Sequence, residues 1–259
     1  WPLTHEKLRM LYELVDKQLQ QGHIGPTTSP WNTPVFITKK KNGKWRLLHD
    51  LRQVNAVTES MGALQPGLPS PTTIPANWPV TVLDLKDCFF TIPLVERNGP
   101  KFAFSIPSVN QSKPMKRYHW VVLPQGMKNS PTICQMYVAQ ALSGMKLKYP
   151  QMLIYHYMDD TLLAEHLQSP DLLARATEET RAALSAHGLQ IAPEKVQKEQ
   201  PWKYLGWKIS MSTVQPQRIT LRTEIQTLND LQRLLGSINW VRPLLGIDNI
   251  QLSPLFDIL

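Results

Sequence analysis

Cysteine is almost missing from these 259 residues: Cys88 and Cys134 are the only two. Their spacing suits neither a disulfide framework nor a zinc ligand set, which leaves reduced, packed thiols as the expectation. Long apolar runs are missing as well. No stretch approaches the roughly 20 apolar residues of a membrane-spanning helix. Trp1-Pro2-Leu3-Thr4 lacks the charged and apolar regions of a secretory signal, so the expected protein is neither secreted nor held in a membrane. The seven histidines include no His-Glu-x-x-His pattern, and a Ser/His/Asp triad cannot be read from residues this common, so hydrolase chemistry has no support. There is no internal repeat and no low-complexity segment. The chain starts and stops abruptly, as a fragment would.

What is present is ordinary for a globular protein: 42% hydrophobic and 19% charged residues, enough to bury one large core or two modest ones. The 28 basic side chains outnumber the 20 acidic ones, leaving a net charge of +8 and favouring a polyanionic partner such as nucleic acid.

Thr4 is a plausible N-cap for an amphipathic helix carrying Leu8, Leu11, Tyr12, Val15 and Leu19, with Gly22 as its stop. Val35–Thr38 and Trp45–His49 flank Lys39-Lys40-Lys41-Asn42-Gly43-Lys44, and the Asn-Gly pair predicts a tight hairpin with a basic tip. Proline-rich Gln65–Pro79 reads as an irregular connector. Strands are expected over Val80–Leu85, Ala103–Ile106, Tyr118–Leu123 and Lys203–Ser210. With Ser130 as N-cap and Pro131 as first helical position, a helix is expected through Leu147, and others from Ser169-Pro170 to Gly188 and from Thr227 to Trp240, before Pro243. The pattern predicts an α+β fold with helices packed on a mainly antiparallel sheet.

Chemistry concentrates in two acidic sites. Tyr157-Met158-Asp159-Asp160 sets adjacent carboxylates between two apolar runs, at the tip of an expected hairpin, where they repel each other and desolvate badly. Leu83-Asp84-Leu85-Lys86-Asp87 follows an apolar strand. One such pair alone is more often a cap or turn, but two together point to carboxylates gathered for hard cations. Mg²⁺ takes oxygen ligands, normally one or two carboxylates plus phosphates and water. Asp84 and Asp159 bridging two ions would perform phosphoryl transfer.

These residues, in this order, resemble the polymerase part of a retroviral reverse transcriptase. The likeness rests on Trp1–Thr4, Asn32-Thr33-Pro34-Val35-Phe36, Leu83-Asp84, Asp87-Cys88-Phe89-Phe90, Leu123-Pro124-Gln125-Gly126, Ser130-Pro131, Tyr157–Asp160 and Leu205-Gly206. It spans essentially the whole chain. Leu47–Arg52 and Asp84–Phe90 are similar to the alpharetroviral and betaretroviral branch of Pol polyproteins, whether from an exogenous virus or an endogenous copy. The resemblance implies a right-hand polymerase: fingers over 1–59 and 92–129, palm over 60–91 and 130–211, and the start of an incomplete thumb over 212–259.

It also implies roles. Asp84, Asp159 and Asp160 would be the catalytic, metal-holding acids, served by two Mg²⁺ with Mn²⁺ as a substitute. Lys40 and Arg46 would meet the triphosphate, alongside Asp87 and Cys88. Phe89 would crowd the sugar 2′ position and select deoxynucleotides, Gln125 would lie over the sugar, and Met158 beside the nucleotide. The basic hairpin is one residue shorter than in some relatives, so Lys39 and Lys41 stay open beside Lys40. Its charge agrees, with six Lys or Arg against one acid between Thr38 and Arg52. Tyr157, Tyr204, Leu205 and Gly206 would hold the primer, and Gln232, Gly236 and Trp240 would follow the minor groove.

The implied activity is RNA-directed and DNA-directed DNA synthesis on a primer 3′-hydroxyl. Its partners would be an RNA or DNA template with primer, a dNTP and a second reverse transcriptase subunit, with no membrane. The setting would be a virion core and host cytoplasm, or the cell interior for an endogenous copy. The alternative is a non-catalytic nucleic-acid-binding remnant or structural subunit. An RNA-directed RNA polymerase is disfavoured by Phe89.

Overall fold

Helix α1 (His5–Gln20) opens on Thr4, whose hydroxyl accepts the Lys7 N–H at 3.3 Å, the capping role its residue type predicts. It closes with Gly22 at φ +71° and the His23 N–H bonded to the Gln18 carbonyl at 3.0 Å, an ending that favours glycine. Leu11 and Val15 are its buried face, and Leu11→Ala would cost about 2–5 kcal/mol.

The computed structural model describes residues 4–40, 43–62, 69–108, 112–166, 170–217 and 224–258. Trp1–Leu3, the Lys41-Asn42 tip of the basic hairpin, Gln65–Leu68 of the connector and Ser169 lie outside them.

The strands are β1 (Ile24–Pro26), β2 (Val35–Lys39), β3 (Trp45–His49), β4 (Val80–Lys86), β5 (Ala103–Ile106), β6 (Lys116–Trp120), β7 (Leu153–Tyr157), β8 (Asp160–Ala164), β9 (Gln190–Ile191), β10 (Trp202–Tyr204), β11 (Trp207–Ile209) and β12 (Val214–Pro216). Besides α1, the helices are α2 (Arg52–Val57), α3 (Cys88–Thr91), α4 (Ser130–Lys148), α5 (Pro170–Ala186), α6 (Leu228–Leu245) and α7 (Asn249–Phe256). Among the described residues four sheets form, ordered β1-β6-β5, β2-β3, β7-β8-β4-β9 and β10-β11-β12. Each pairing in them is antiparallel, so the α+β expectation holds.

The β7-β8-β4-β9 sheet is covered on both faces, so β4 is buried without a break from Val80 to Leu83 rather than at alternate positions. Val80, Val82, Leu162 and Ala164 pack on Trp202, Tyr204, Trp207 and Ile209. Leu83 and Leu163, on the opposite face, pack on Met145, Tyr149 and Ala176. Another cluster joins α1 through Leu11 and Val15 to Phe104, Trp120 and the α4 residues Cys134, Val138 and Leu142. Cys88 and Cys134 are buried free thiols with sulfurs 2.8 Å apart. The contact with Cys134, then burial, pushes the Cys88 thiol up, which keeps it protonated and inert. No described helix is long and apolar enough to cross a membrane.

Three local expectations change. The strand over Lys203–Ser210 is two strands, β10 and β11, because Leu205 and Gly206 both turn through positive φ, 46° and 81°. Ser130 is the first helical residue rather than the cap, which is Asn129; its hydroxyl is committed to the Pro124 carbonyl at 2.9 Å. Helix α6 continues past Pro243 to Leu245 and stops at Gly246, φ 67°. Strand β12 pairs with β11, extending the β10-β11 sheet to Pro216.

Candidate active site

Strand β4 carries Asp84 at its first position that is not buried, and β8 begins with Asp160. The antiparallel register places the two directly opposite each other. Like charges in that position destabilise a strand pair. By alternation both share the sheet face of Val80, Val82, Leu162 and Ala164, the face covered by β10 and β11. Asp159 occupies the two-residue turn between β7 and β8, its carbonyl accepting the Leu85 N–H at 2.8 Å. Only Met158 in that turn has positive φ, +54°, whereas a type I′ hairpin needs both loop residues left-handed. The turn is therefore a constrained one rather than a solvated Asn-Gly type.

Electrostatics follow from that crowding. Burial, then the charges of Asp159 and Asp84, raise Asp160 to about 6. Burial also raises Asp159, with Asp84 adding to the effect. Lys195, on the 3₁₀ turn Pro193–Lys195, answers the acids: its Nζ lies 2.6 Å from Asp84 Oδ1. That bond, and the fields of Asp159 and Asp160, hold the ammonium pKa above its ordinary value. Among the described residues no three His, Cys, Asp or Glu side chains already form a metal cage. The donor set nevertheless suits a hard divalent cation, since three hard-oxygen acids under mutual repulsion are what such an ion relieves. Mg²⁺ needs only one or two of them when phosphates supply the rest.

Beside the acids opens a cleft of about 590 Å³ whose lining includes Arg46, Asp87, Cys88, Phe89, Gln125, Asp159 and Lys195. Arg46 comes from β3, and its guanidinium donates to the Gln125 side-chain oxygen. Asp87 takes φ +49° to cap α3, turning the chain sharply after β4 so that Cys88 and Phe89 follow at the wall. Of the residues expected at the nucleotide, Lys40 and Met158 are absent from this lining. Lys40 is exposed at the hairpin end, where its N–H donates to the Lys44 carbonyl at 2.8 Å.

Tyr157 pairs with Asp160 across β7 and β8 and is partly buried. Tyr204 is buried, and its hydroxyl has no hydrogen-bond partner. Gly206 meets a specific neighbour: a Cβ there would stand 2.6 Å from the Trp240 ring. Trp240 stacks on Trp207 at 5.7 Å between ring centroids, so this tryptophan is engaged by the hairpin. Gln232 and Gly236 are exposed on α6, and with Trp240 they occupy one stripe at four-residue spacing.

Two further residues of the site carry no motif in the sequence. Lys195 follows Asp84 by more than a hundred positions, and nothing local marks it. Gln135 was legible in principle, because it interrupts the apolar stripe of Val138, Leu142 and Met145 on α4. It is 3% exposed. Its Oε1 accepts the Met158 N–H at 2.7 Å and its Nε2 donates to the His156 carbonyl at 3.3 Å.

Residues 37–209 match the family model described as reverse transcriptase (RNA-dependent DNA polymerase), and residues 216–259 match the reverse transcriptase thumb domain. Over its full length the chain is 56% identical to the Gag-Pro-Pol polyprotein of simian retrovirus SRV-2. Identity is 52% to that of sheep pulmonary adenomatosis virus and 51% to that of mouse mammary tumor virus strain BR6. The chain spans 15% of the length of each of these relatives.

Proposed function

The chain belongs to the reverse transcriptase family, and from that premise we propose that it is the polymerase core of a retroviral Pol polyprotein. It extends a primer 3′-hydroxyl with deoxynucleotides on RNA or DNA templates, in a virion core or host cytoplasm. The observation that carries this reading is Asp84 opposite Asp160 with Asp159 in the adjoining turn. Two distant segments converge there at a cost that a purely structural sheet would avoid. On this reading residues 1–59 and 92–129 are fingers, 60–91 and 130–211 palm, and 212–259 the beginning of a thumb.

Asp84 and Asp159 would hold two Mg²⁺, or Mn²⁺ in their place, with Asp160 in support. When bound, such ions lower the pKa of an attacking hydroxyl and stabilise the leaving oxygen of an in-line displacement. The chain's own groups do the positioning. Arg46 offers a guanidinium fork to the triphosphate and Lys40 a point charge. The backbone around Asp87 and Cys88 forms the wall beside them, Gln125 covers the sugar, and Met158 lies against the base and primer end. Phe89 fills the space a 2′-hydroxyl would need. Tyr157, Tyr204, Leu205 and Gly206 hold the primer end, while Gln232, Gly236 and Trp240 face the minor groove.

The test is Mg²⁺-dependent extension of a DNA primer on an RNA template, beside a duplex-binding assay. Extension by the chain, lost in Asp159→Asn with binding kept, is the expected result. Extension that survives in Asp159→Asn would sink the carboxylate assignment, and binding without any extension would favour the non-catalytic reading. Phe89→Val should bring ribonucleotide and deoxynucleotide incorporation about tenfold closer together, the scale of one steric contact in a pocket.

A further inference from the structure

The turn that carries Asp159 is held from below. Met158 sits at φ +54°, a conformation that side chains other than glycine seldom adopt without outside support. Gln135 provides two contacts from the buried face of α4. Its carboxamide oxygen takes the Met158 N–H at 2.7 Å, and its amide nitrogen gives to the His156 carbonyl at 3.3 Å. The His156 ring also reaches the Gln135 carbonyl, with Nε2 at 3.4 Å. Donor and acceptor of one carboxamide thus engage both the end of strand β7 and the strained residue itself. No apolar side chain can do both, and Asn is one methylene short.

The carbonyl of Asp159 is bonded to Leu85 on β4, so the turn is pinned on both sides of the carboxylate. Were the Met158 N–H to lose its acceptor, the peptide before it would be free to rotate, relieving the positive φ and re-aiming Asp159. We infer that Gln135 is a positioning residue: it holds the left-handed Met158 peptide so that the Asp159 carboxylate faces Asp84 and Asp160. This inference rests on the reading of Asp159 as a metal-holding acid.

Mn²⁺ binding to the 259-residue chain, followed by electron paramagnetic resonance, tests it without requiring turnover. The variants are Asp159→Asn, Gln135→Met and Met158→Gly, together with the Gln135→Met/Met158→Gly double variant. Gln135→Met should weaken Mn²⁺ binding about tenfold, with the primer–template Kd unchanged within about twofold, because a carboxylate misdirected by one peptide loses one ligand of the site. Met158→Gly in that background should restore at least half of the loss, since glycine takes φ +54° without support. A general packing defect would not be rescued this way.

Wild-type affinity in Gln135→Met, or strictly additive effects of the two changes, would overturn the inference while leaving the metal assignment intact. Equal Mn²⁺ binding by wild type and Asp159→Asn would instead remove the metal reading and the inference with it. Should Gln135→Met fail to fold by circular dichroism, Gln135→Asn takes its place in the same cycle with the same expected loss.

Discussion

Two hairpins, β7–β8 and β10–β11, each turn through two residues of which the first is left-handed without being glycine: Met158 at φ +54° and Leu205 at φ +46°. They keep that conformation by different means. The β10–β11 turn has glycine second, at φ +81°, and a tryptophan ring closing over it, with room for no Cβ. The β7–β8 turn has Asp159 second, and a buried amide from α4 meets its Met158 N–H. Where a turn must present charge, the spare backbone group is satisfied by a side chain of matching polarity. Where it must meet another surface, the side chain is deleted to let that surface in. The same local geometry thus serves chemistry in one hairpin and contact in the other.

The sharpest way to break the comparison is Asp159→Asn. It should cut primer extension by about a thousandfold, the scale on which a metal-holding acid acts, and leave duplex binding within about threefold. A comparable loss of duplex binding would mean that the two hairpins do not divide the work.

Gly206→Ala should act in the opposite sense. Holding alanine at positive φ costs about 1–2 kcal/mol, and the Trp240 ring must also move. Duplex Kd should rise about fivefold to thirtyfold, the equivalent of that energy, with Mn²⁺ affinity unchanged. Unchanged duplex binding would show that the β10–β11 turn carries no grip.

Trp240→Ala removes a ring stack of about 0.5–1.5 kcal/mol and should weaken duplex binding only a few-fold. In its presence Gly206→Ala should lose much of its penalty, because the ring that excludes a Cβ is gone. Full additivity in a duplex titration would refute that coupling.

The smallest effect is on pH dependence in metal-free protein. Asp160 is raised to about 6, chiefly by burial, so native Asp160 binds its proton more tightly than the unfolded chain does. Its share of stability therefore rises as pH falls through about 6, opposite to an ion-paired acid. His49, lowered to about 4 from 6.5 by burial, opposes it across the same window, so wild type alone is not diagnostic. Asp160→Asn should melt a few degrees above wild type near about pH 8 and come level with it only as the pH falls to the ordinary carboxyl value of 3.8. A constant difference in melting temperature would rule out repulsion at the turn.

Much of this was legible along the chain. Thr4 and Gly22 bound α1 as their residue types predict, and Val80–Leu85 reads as the strand that β4 is, whereas its burial on both faces has no mark in the sequence. The acids announced themselves because adjacent carboxylates between apolar runs lack an ordinary structural use. Lys203–Ser210 reads as one strand along the sequence, since Leu205 at positive φ has no signature there and only the Gly206 that follows hints at a turn. Pro243 suggested a helix end that Gly246 supplies three residues later. Gln135 was visible as a polar break in an apolar stripe, but its partner on another element was not.

The sequence by itself determined the acids, their order and the α+β pattern, because these depend on residue type and short-range periodicity. Only the tertiary structure decided that Asp84 faces Asp160, that Lys195 closes on Asp84, that Gln135 sits beneath the Met158 turn and that Trp240 lies over Gly206. Those pairings join residues far apart in the chain. They are fixed by strand register and by which faces the core leaves available, and neither is encoded in any local window.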